Sequence, residues 1–357
     1  MTISRVGQVI ADRYKVEDFI GEGGMQYVYR AHDMLLGRKV ALKTPKNNSA
    51  TKRFRRSAIV AAKVNHHNVA KTLDYVKVNQ DRYLIEELIE GSDLQVALMQ
   101  RTRFLDPYLA ACVFSQLARG LSAAHHAGVI HRDLKPTNVM ISGGYSVREL
   151  KITDFGIAKM ADEELSEAAK GGTATLTSSQ TAVGALPYMA PEAIDTPDQV
   201  GPPADVWSIG AMFYHLLTGE FPYGKGLRAV RNILSNDLAP APDFIKANAQ
   251  YRSLVDELLD ISTSCLKSDP AKRPTADQLV ERCELLCYSK SPRYEGGIKN
   301  IYYGAYGFIS RPSEADVFFN QDSVYGPERA VQGDSVCFSM YEGGGAWRAH
   351  PVVLLDK

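Results

Sequence analysis

The spacing of apolar and polar residues predicts β-structure at both ends of the chain and a long buried helix between them. Residues 14–19 alternate in polarity, as is typical of a strand. Apolar residues recur at helical spacing between Pro107 and Gly128. After Cys287, short alternating runs separated by glycines indicate short strands joined by turns. The length of 357 residues allows more than one domain.

A glycine-rich segment follows the first predicted strand. Residues 20–28 read IGEGGMQYV, and residues 40–43 read VALK. Glycines let a backbone come close to phosphates and direct its N–H groups toward them. A glycine-rich hairpin is also common as an ordinary turn, so its meaning depends on the motifs that follow.

The octet at residues 131–138, HRDLKPTN, combines an acid, a base and an amide. A phosphoryl-transfer loop needs an aspartate that accepts a hydroxyl proton, a lysine that contacts the transferred phosphate and an asparagine that holds a metal. The tripeptide DFG begins at Asp154, sixteen residues after Asn138, and Lys43 lies ninety residues before Asp133. This order of residue types favours phosphoryl transfer over a polar surface turn.

Together these motifs resemble those of the protein kinase family, over roughly residues 14–287. With a lysine at position 135 of the octet, the sequence resembles serine/threonine kinases of the bacterial type. The resemblance implies an α+β, bilobal fold over residues 14–288, with a β-rich small lobe at about 14–88 and a helical large lobe at about 91–288. Residues 1–13 would form an N-terminal extension.

The resemblance implies ATP with Mg²⁺ or Mn²⁺ as cofactors, and Ser/Thr hydroxyls of proteins as substrates. Asp133 would be the catalytic base, Lys135 would contact the γ-phosphate, and Lys43 the α- and β-phosphates. Asn138 and Asp154 would hold the metal. The residues implied for the ATP pocket are Ile20, Gly21, Glu22, Gly23, Gly24, Val28, Ala41, Lys43, Glu86, Glu87, Ile89 and Met140.

Three positions depart from the family pattern. Gln26 replaces the third glycine of the loop and adds bulk at its tip, and Ala185 stands where serine/threonine kinases carry threonine. Ser57 occupies the position of the helix glutamate that pairs with the lysine, and no acidic residue occurs from Asn47 to Val64. Two readings stay open: an active but slowed kinase, or a pseudokinase-like module that binds nucleotide and signals by shape.

The missing helix glutamate raises the question of what neutralises Lys43. An unpaired ammonium in a partly dry cleft is unfavourable, and its pKa would fall. Our hypothesis is that Glu86, at the back of the pocket, replaces the helix glutamate as partner. Alternatively, Glu86 and Glu87 lie one residue out of this register, and one of them simply faces solvent.

Residues 157–186 are rich in Ser, Thr, Gly and Ala and resemble a mobile activation loop. The resemblance also implies that Glu192 pairs with Arg273 and that Asp205 braces the catalytic loop. A flexible connection without a phosphorylation site is the alternative for the loop. The candidate phosphorylation sites, at which the kinase would modify itself, are Thr173, Thr175, Thr177 and Thr181.

Residues 289–295 are predicted to be a linker, and residues 296–357 a small five-stranded β-barrel. The order of their short runs resembles a cold-shock domain, an OB-fold whose aromatic residues stack on unpaired bases. Tyr306, Phe308 and Phe318 occupy the matching positions. From Ser291 onward, however, six Lys/Arg face eight Asp/Glu, which suits a phosphate backbone poorly. A single-stranded nucleic acid, a protein partner or a purely structural barrel therefore stay open.

Composition adds a cellular setting. The formal net charge is zero, so no bulk attraction to nucleic acid or membranes follows. Five scattered cysteines argue against a disulfide framework and favour a reducing compartment. No apolar run approaches the about 20 residues of a membrane span, and no signal pattern precedes Val9. We expect a cytoplasmic protein.

Overall fold

The structure is a computed structural model that describes residues 5–22, 26–46, 51–155 and 184–356. It consists of a β-rich small lobe, a helical large lobe and a closed five-stranded barrel. The predicted α+β class, with two lobes followed by a barrel, is confirmed.

The small lobe is built on a six-stranded antiparallel sheet in the order β1-β2-β3-β4-β6-β5. Helix α1 (Thr51–Ala61) packs on it by burying Phe54 and Ala58 against Leu84. The strands are β1 (Val9–Ile10), β2 (Tyr14–Glu22), β3 (Gln26–Asp33), β4 (Arg38–Pro45), β5 (Thr72–Val78) and β6 (Asp81–Glu87).

The large lobe is organised around helix α2 (Pro107–His126), whose predicted apolar stripe is buried. The Asp106 side chain caps this helix by accepting hydrogen bonds from the N–H groups of Tyr108 and Leu109. The remaining helices are α3 (Pro191–Asp195), α4 (Pro202–Thr218), α5 (Gly226–Leu234), α6 (Arg252–Cys265) and α7 (Ala276–Leu285), and a small sheet contains β7 (Ser92–Asp93), β8 (Val139–Ser142) and β9 (Glu149–Ile152).

A buried ion pair ties the α3 region to the loop before α7. Arg273 donates to both carboxylate oxygens of Glu192, at 2.6 and 2.8 Å, and its guanidinium lies over the ring of Trp207. Such a bidentate pair fixes geometry as well as charge. The predicted Glu192–Arg273 pair is confirmed.

The C-terminal barrel closes in the order β10-β11-β12-β14-β13. Strand β12 pairs with β14 in parallel, and the other pairings are antiparallel. Strand β10 begins at Tyr294, two residues before the predicted start of the barrel, because Tyr294 already pairs with Phe338. The strands are β10 (Tyr294–Tyr302), β11 (Tyr306–Ser310), β12 (Val317–Asn320), β13 (Ser335–Glu342) and β14 (Trp347–Leu354).

The barrel is docked on the large lobe. Arg293, just before β10, donates to the Asp106 carboxylate at 2.8 Å, and the two side chains are only 5% and 1% exposed. The Tyr251 hydroxyl lies 3.0 Å from His350 Nε2, and Tyr325 packs in the same cluster. The barrel is thus joined to the lobe by both polar and apolar burial. A membrane-crossing helix, with its long apolar run, is not found among the described residues.

Replacing Arg293 by methionine tests this docking. The substitution would leave the buried Asp106 carboxylate without its cation, so we expect the free energy of unfolding to fall by about 3–5 kcal/mol. The matched control is Lys299→Met, since Lys299 forms an exposed pair with Asp316 and should contribute little. Urea denaturation measures both, and equal losses would contradict a special role for the buried pair.

Candidate active site

A deep cleft between the two lobes collects the sequence-predicted site residues. Strands β2–β4 and the end of β6 line its upper side, and the segment that follows α2 lines its lower side. Gly23 and Gly24 lie outside the described residues. The predicted ATP-pocket residues that line the cleft are Ile20, Gly21, Glu22, Val28, Ala41, Lys43, Glu86, Glu87, Ile89 and Met140.

Lys43 on β4 is buried between two carboxylates. Its Nζ lies 2.7 Å from Glu86 Oε2 and 2.8 Å from Asp154 Oδ1. Strand β6 pairs directly with β4 and sets Glu86 opposite Ala41. The sheet register therefore holds Glu86 within reach of Lys43, which is the arrangement that our hypothesis describes.

Glu87 points elsewhere. Its Oε1 lies 3.0 Å from Lys151 Nζ and accepts a hydrogen bond from the Lys71 N–H. Successive residues of a strand face opposite sides of the sheet, so Glu86 and Glu87 cannot both turn toward Lys43. The register shifted by one residue is not the one that the structure adopts.

The three charged groups of this cluster shift the pKa values of one another. Burial by itself would lower the pKa of Lys43, but the carboxylates of Asp154 and Glu86 outweigh it, so the pKa lies above its usual value. Burial raises the pKa of Glu86 against the attraction of Lys43. Burial also opposes ionisation of Asp154, yet the charge and hydrogen bond of Lys43 hold its pKa below the usual value. The fall in pKa expected for an unpaired Lys43 is absent because two carboxylates face it.

Gln26 reaches into the cleft from the first position of β3. Its Nε2 donates to Asp154 Oδ1 at 2.8 Å, and the side chain is 5% exposed. Its Oε1 is buried and has no partner among the described residues. The expectation that Gln26 adds bulk at the loop tip was wrong, because the side chain turns inward onto the carboxylate that also pairs with Lys43.

The octet at residues 131–138 brings its polar side chains together. Asp133 Oδ2 accepts hydrogen bonds from Lys135 Nζ at 2.8 Å and from Asn138 Nδ2 at 3.1 Å. Asn138 Nδ2 also donates to the Asp133 carbonyl at 2.7 Å. These bonds leave the Asp133 carboxylate oriented inside the cleft.

Asp205 on α4 holds the backbone of this loop. Its two carboxylate oxygens accept the N–H groups of His131 and Arg132 at 2.8 and 2.7 Å. Arg132 has φ 69°, a left-handed conformation that costs a non-glycine residue about 1–3 kcal/mol. The implied brace by Asp205 is confirmed, and it stabilises the strained turn that presents Asp133.

Ala185 lies beside the octet, where it lines a small cavity with Arg132 and Asp133. Its methyl group cannot supply the hydroxyl that bridges base and lysine in the family. Lys135 and Asp133 nevertheless contact each other directly. The structure therefore retains the geometry that the missing hydroxyl would support.

The donor set of the cleft fits a hard divalent cation. Asp154, Asn138 and the unpartnered Oε1 of Gln26 offer oxygen ligands, which suit Mg²⁺ and Mn²⁺. Within the described residues, no cluster of three or more His, Cys, Asp or Glu could hold a metal alone.

The candidate phosphorylation sites cannot be placed in the same way. Residues 156–183 lie outside the described part of the chain, and they contain Thr173, Thr175, Thr177 and Thr181. The side chain of Ser57 is also outside it. The backbone at Ser57 lies within α1, whose sequence offers no acid to the cleft.

The three candidate stacking residues of the barrel form one half-buried aromatic surface. The ring of Phe318 lies 5.7 Å from that of Tyr306 and 5.9 Å from that of Phe308. Two neighbours were missed in the sequence: Tyr302 lies 5.6 Å from Tyr306, and the Arg348 guanidinium lies over Phe318 at 5.6 Å. Arg348 comes from β14, so only the barrel pairing of β14 with β12 reveals it.

Comparison with known proteins agrees with this geometry. The family described as Protein kinase domain matches residues 14–283. The chain is 30% identical over 266 residues to the probable serine/threonine-protein kinase PknB of Lactococcus lactis. This alignment covers 73% of this chain and 40% of that protein. It is 33% identical over 281 residues to the serine/threonine-protein kinase PknA of Mycobacterium tuberculosis, which covers 75% and 60% respectively.

The match is confined to part of each relative. With pkn2 of Myxococcus xanthus, the identity is 28% over 324 residues, which covers 89% of this chain but 37% of that protein. The chain thus spans about 40% of the length of the first curated relatives and 60% of PknA. The family profile nevertheless covers most of this chain, from strand β2 to helix α7. This chain belongs to the protein kinase family.

Proposed function

We propose that this protein is a serine/threonine protein kinase that transfers the γ-phosphate of ATP to hydroxyls of other proteins, with Mg²⁺ or Mn²⁺. One observation carries the proposal: Lys43, Asp133, Lys135, Asn138 and Asp154, from three separate segments, line one cleft. Positioning and electrostatic stabilisation supply most of the catalysis in phosphoryl transfer, and these groups are the ones that supply both.

Asp133 would accept the proton of the incoming hydroxyl. Its carboxylate is fixed by Lys135 and Asn138, and its backbone is held by the Asp205 brace. Lys135, 2.8 Å from Asp133, would also contact the transferred phosphate. Geometry of this kind keeps the nucleophile and the phosphate aligned, and alignment lowers the barrier.

Lys43 would bind the α- and β-phosphates while Glu86 holds its Nζ from the back of the pocket. A bound metal would neutralise phosphate charge next to Asp154 and Asn138. The Lys43 Nζ contacts both Glu86 and Asp154. Glu86 keeps the ammonium charged and limits its rotation.

The alternative function is a pseudokinase-like module that binds nucleotide without turning it over. It rests on Ser57, Gln26 and Ala185, each of which removes a supporting contact. Such losses cost about 1–3 kcal/mol each, which corresponds to roughly tenfold to a hundredfold in rate. Because Glu86 supplies a partner to Lys43 and Lys135 reaches Asp133 directly, an active but slowed kinase is favoured.

Incubation with γ-labelled ATP and Mg²⁺ tests the activity. We expect the wild-type chain to label itself or a general protein substrate on Ser/Thr, and Asp133→Asn to lose at least about a hundredfold in rate, because the hydroxyl proton then has no acceptor. Mapping of the label to the segment Thr173–Thr181 would support autophosphorylation there. Nucleotide binding without any transfer by the wild-type chain would establish the pseudokinase reading instead.

The role of Glu86 is tested by Glu86→Gln, which keeps the shape but removes the charge that faces Lys43. We expect ATP affinity and turnover to fall together by about tenfold, the effect of a weakened charged hydrogen bond. The control is Glu149→Gln, which removes an exposed carboxylate near Lys151. Isothermal titration with ATP and steady-state kinetics measure both, and wild-type values for Glu86→Gln would end the idea.

We further infer that the barrel is an OB-fold that binds single-stranded nucleic acid. Its strand order, closed between the first and fourth strands and parallel between the third and fifth, supports this fold, whose second and third strands bind oligonucleotides. The aromatic surface lies on those strands and on the end of the first. Stacking of a base on an aromatic ring is worth about 1–3 kcal/mol and tolerates any sequence.

The charges near the aromatic surface give less support to nucleic-acid binding than the aromatic rings do. Arg348 lies at the aromatic surface, but Lys299 is paired with Asp316. Stacking would therefore have to provide more of the affinity than phosphate contacts. A protein partner for the same surface is the competing interpretation.

A mobility-shift assay with labelled single-stranded RNA, using the full chain, separates these interpretations. We expect a shift at low salt that Phe318→Ala weakens about tenfold, since one stacking contact is lost. The control Val331→Ala truncates an exposed side chain of the same barrel that makes none of the ring contacts of the aromatic surface, and it should bind as the wild type does. No shift at low salt by the folded protein would exclude nucleic acid and leave a protein partner or a purely structural barrel.

A further inference from the structure

One short segment, residues 99–106, lies between the active-site cleft and the docked barrel. It connects the helical turn at Gln95–Met99 to helix α2. On one side it supplies three residues to the cleft lining, Met99, Gln100 and Arg103. Three of its other residues, Arg101, Phe104 and Asp106, contact the barrel or the residue just before it, so the same stretch of backbone serves both.

Arg101 provides the first barrel contact. Its guanidinium donates to both carboxylate oxygens of Glu295 on β10, at 3.0 and 2.8 Å. Its carbonyl accepts the N–H of Asp356, near the end of the barrel, at 2.9 Å. Side chain and backbone of one residue are therefore both held by the barrel, directly between the cleft-lining Gln100 and Arg103.

Phe104 and Asp106 provide the second and third contacts. The ring of Phe104 lies 5.8 Å from that of Tyr325, and it also faces the backbone of Gly326. Asp106 is the buried partner of Arg293. Within the six residues 101–106, three side chains of the segment thus contact the barrel or Arg293 just before it.

The part of the cleft that this segment lines belongs to the large lobe. The implied ATP-pocket residues lie on the small-lobe strands, at residues 86–89 and on β8. The large lobe also contributes Met99, Gln100, Arg103, Phe221 and Lys225 to the lining. A nucleotide held between the lobes leaves this large-lobe surface to the polypeptide that carries the hydroxyl. A shift in the backbone at 99–106 would therefore affect the protein substrate and not ATP.

We propose that the docked barrel is a positioning element for the protein substrate: by holding Arg101, Phe104 and Asp106, it fixes the backbone that presents Met99, Gln100 and Arg103 to the bound polypeptide. The proposal rests on the proposed kinase function. It makes the barrel a part of the catalytic unit in its docked state, whatever the aromatic surface binds.

Gly326→Ala is the variant that probes this contact in the full chain. A Cβ at Gly326 would lie 2.7 Å from Phe104 Cζ, so the ring must move. The matched control is Gly333→Ala, because Gly333 also has a positive φ and lies in the same barrel but has open space around it. Glu295→Lys is a second, independent variant, which places a cation opposite Arg101.

Two measurements decide the outcome. Hydrogen exchange of the amides of residues 99–106 reports whether the segment has loosened, and steady-state kinetics give KM for a protein substrate, KM for ATP and kcat. We expect faster exchange and about a fivefold rise in the protein-substrate KM for Gly326→Ala and Glu295→Lys, with the KM for ATP and kcat within about twofold. Gly333→Ala should match the wild type in both.

Two results would overturn the proposal. Faster exchange at 99–106 without a change in the protein-substrate KM would show that the segment does not position the substrate. Unchanged exchange in both variants would show that the barrel does not hold the segment. A wild-type chain that transfers no phosphate would instead refute the proposed kinase function, while the exchange data would still report on the segment.

Discussion

A lysine buried in a cleft is stable as an ammonium only when carboxylates lie within contact distance, and this constraint governs the cleft between the two lobes. Lys43 meets it through Glu86 and Asp154, one from its own sheet and one from the large lobe. Because desolvation penalises each charge, none of the three could be buried alone. The cluster therefore joins the two lobes electrostatically at the point where phosphates would bind.

The origin of Glu86 has a mechanical consequence. In the family pattern the partner of the lysine comes from a helix, which can move relative to the sheet. Here the partner lies on β6, hydrogen-bonded to the strand that carries Lys43. The pair is then as rigid as the sheet register, and the ion pairs described for Lys43 come from β6 and Asp154, not from α1.

The large lobe and the barrel share one structural axis. Helix α2 begins at the Asp106 cap, and Asp106 also pairs with Arg293, just before the barrel. The helix ends shortly before the strained turn at Arg132, which Asp205 holds through its carboxylate. The helix that supports the catalytic loop is thus anchored at its far end by the C-terminal module. The barrel that follows the kinase domain therefore buries charged groups where it meets the large lobe.

The sequence by itself determined the local features: the kinase motifs, the buried face of α2 and the five short strands of the barrel, because each depends on residues close together in the chain. It also identified Glu86 as a candidate partner but left the register open, since a shift of one residue reverses the faces of a strand. Only the tertiary structure decided that register, the inward turn of Gln26 onto Asp154, the approach of Arg348 to Phe318 and the docking of the barrel. Each of these depends on contacts between segments that are far apart in sequence. Packing sets the geometry of such contacts, and no local sequence pattern encodes it.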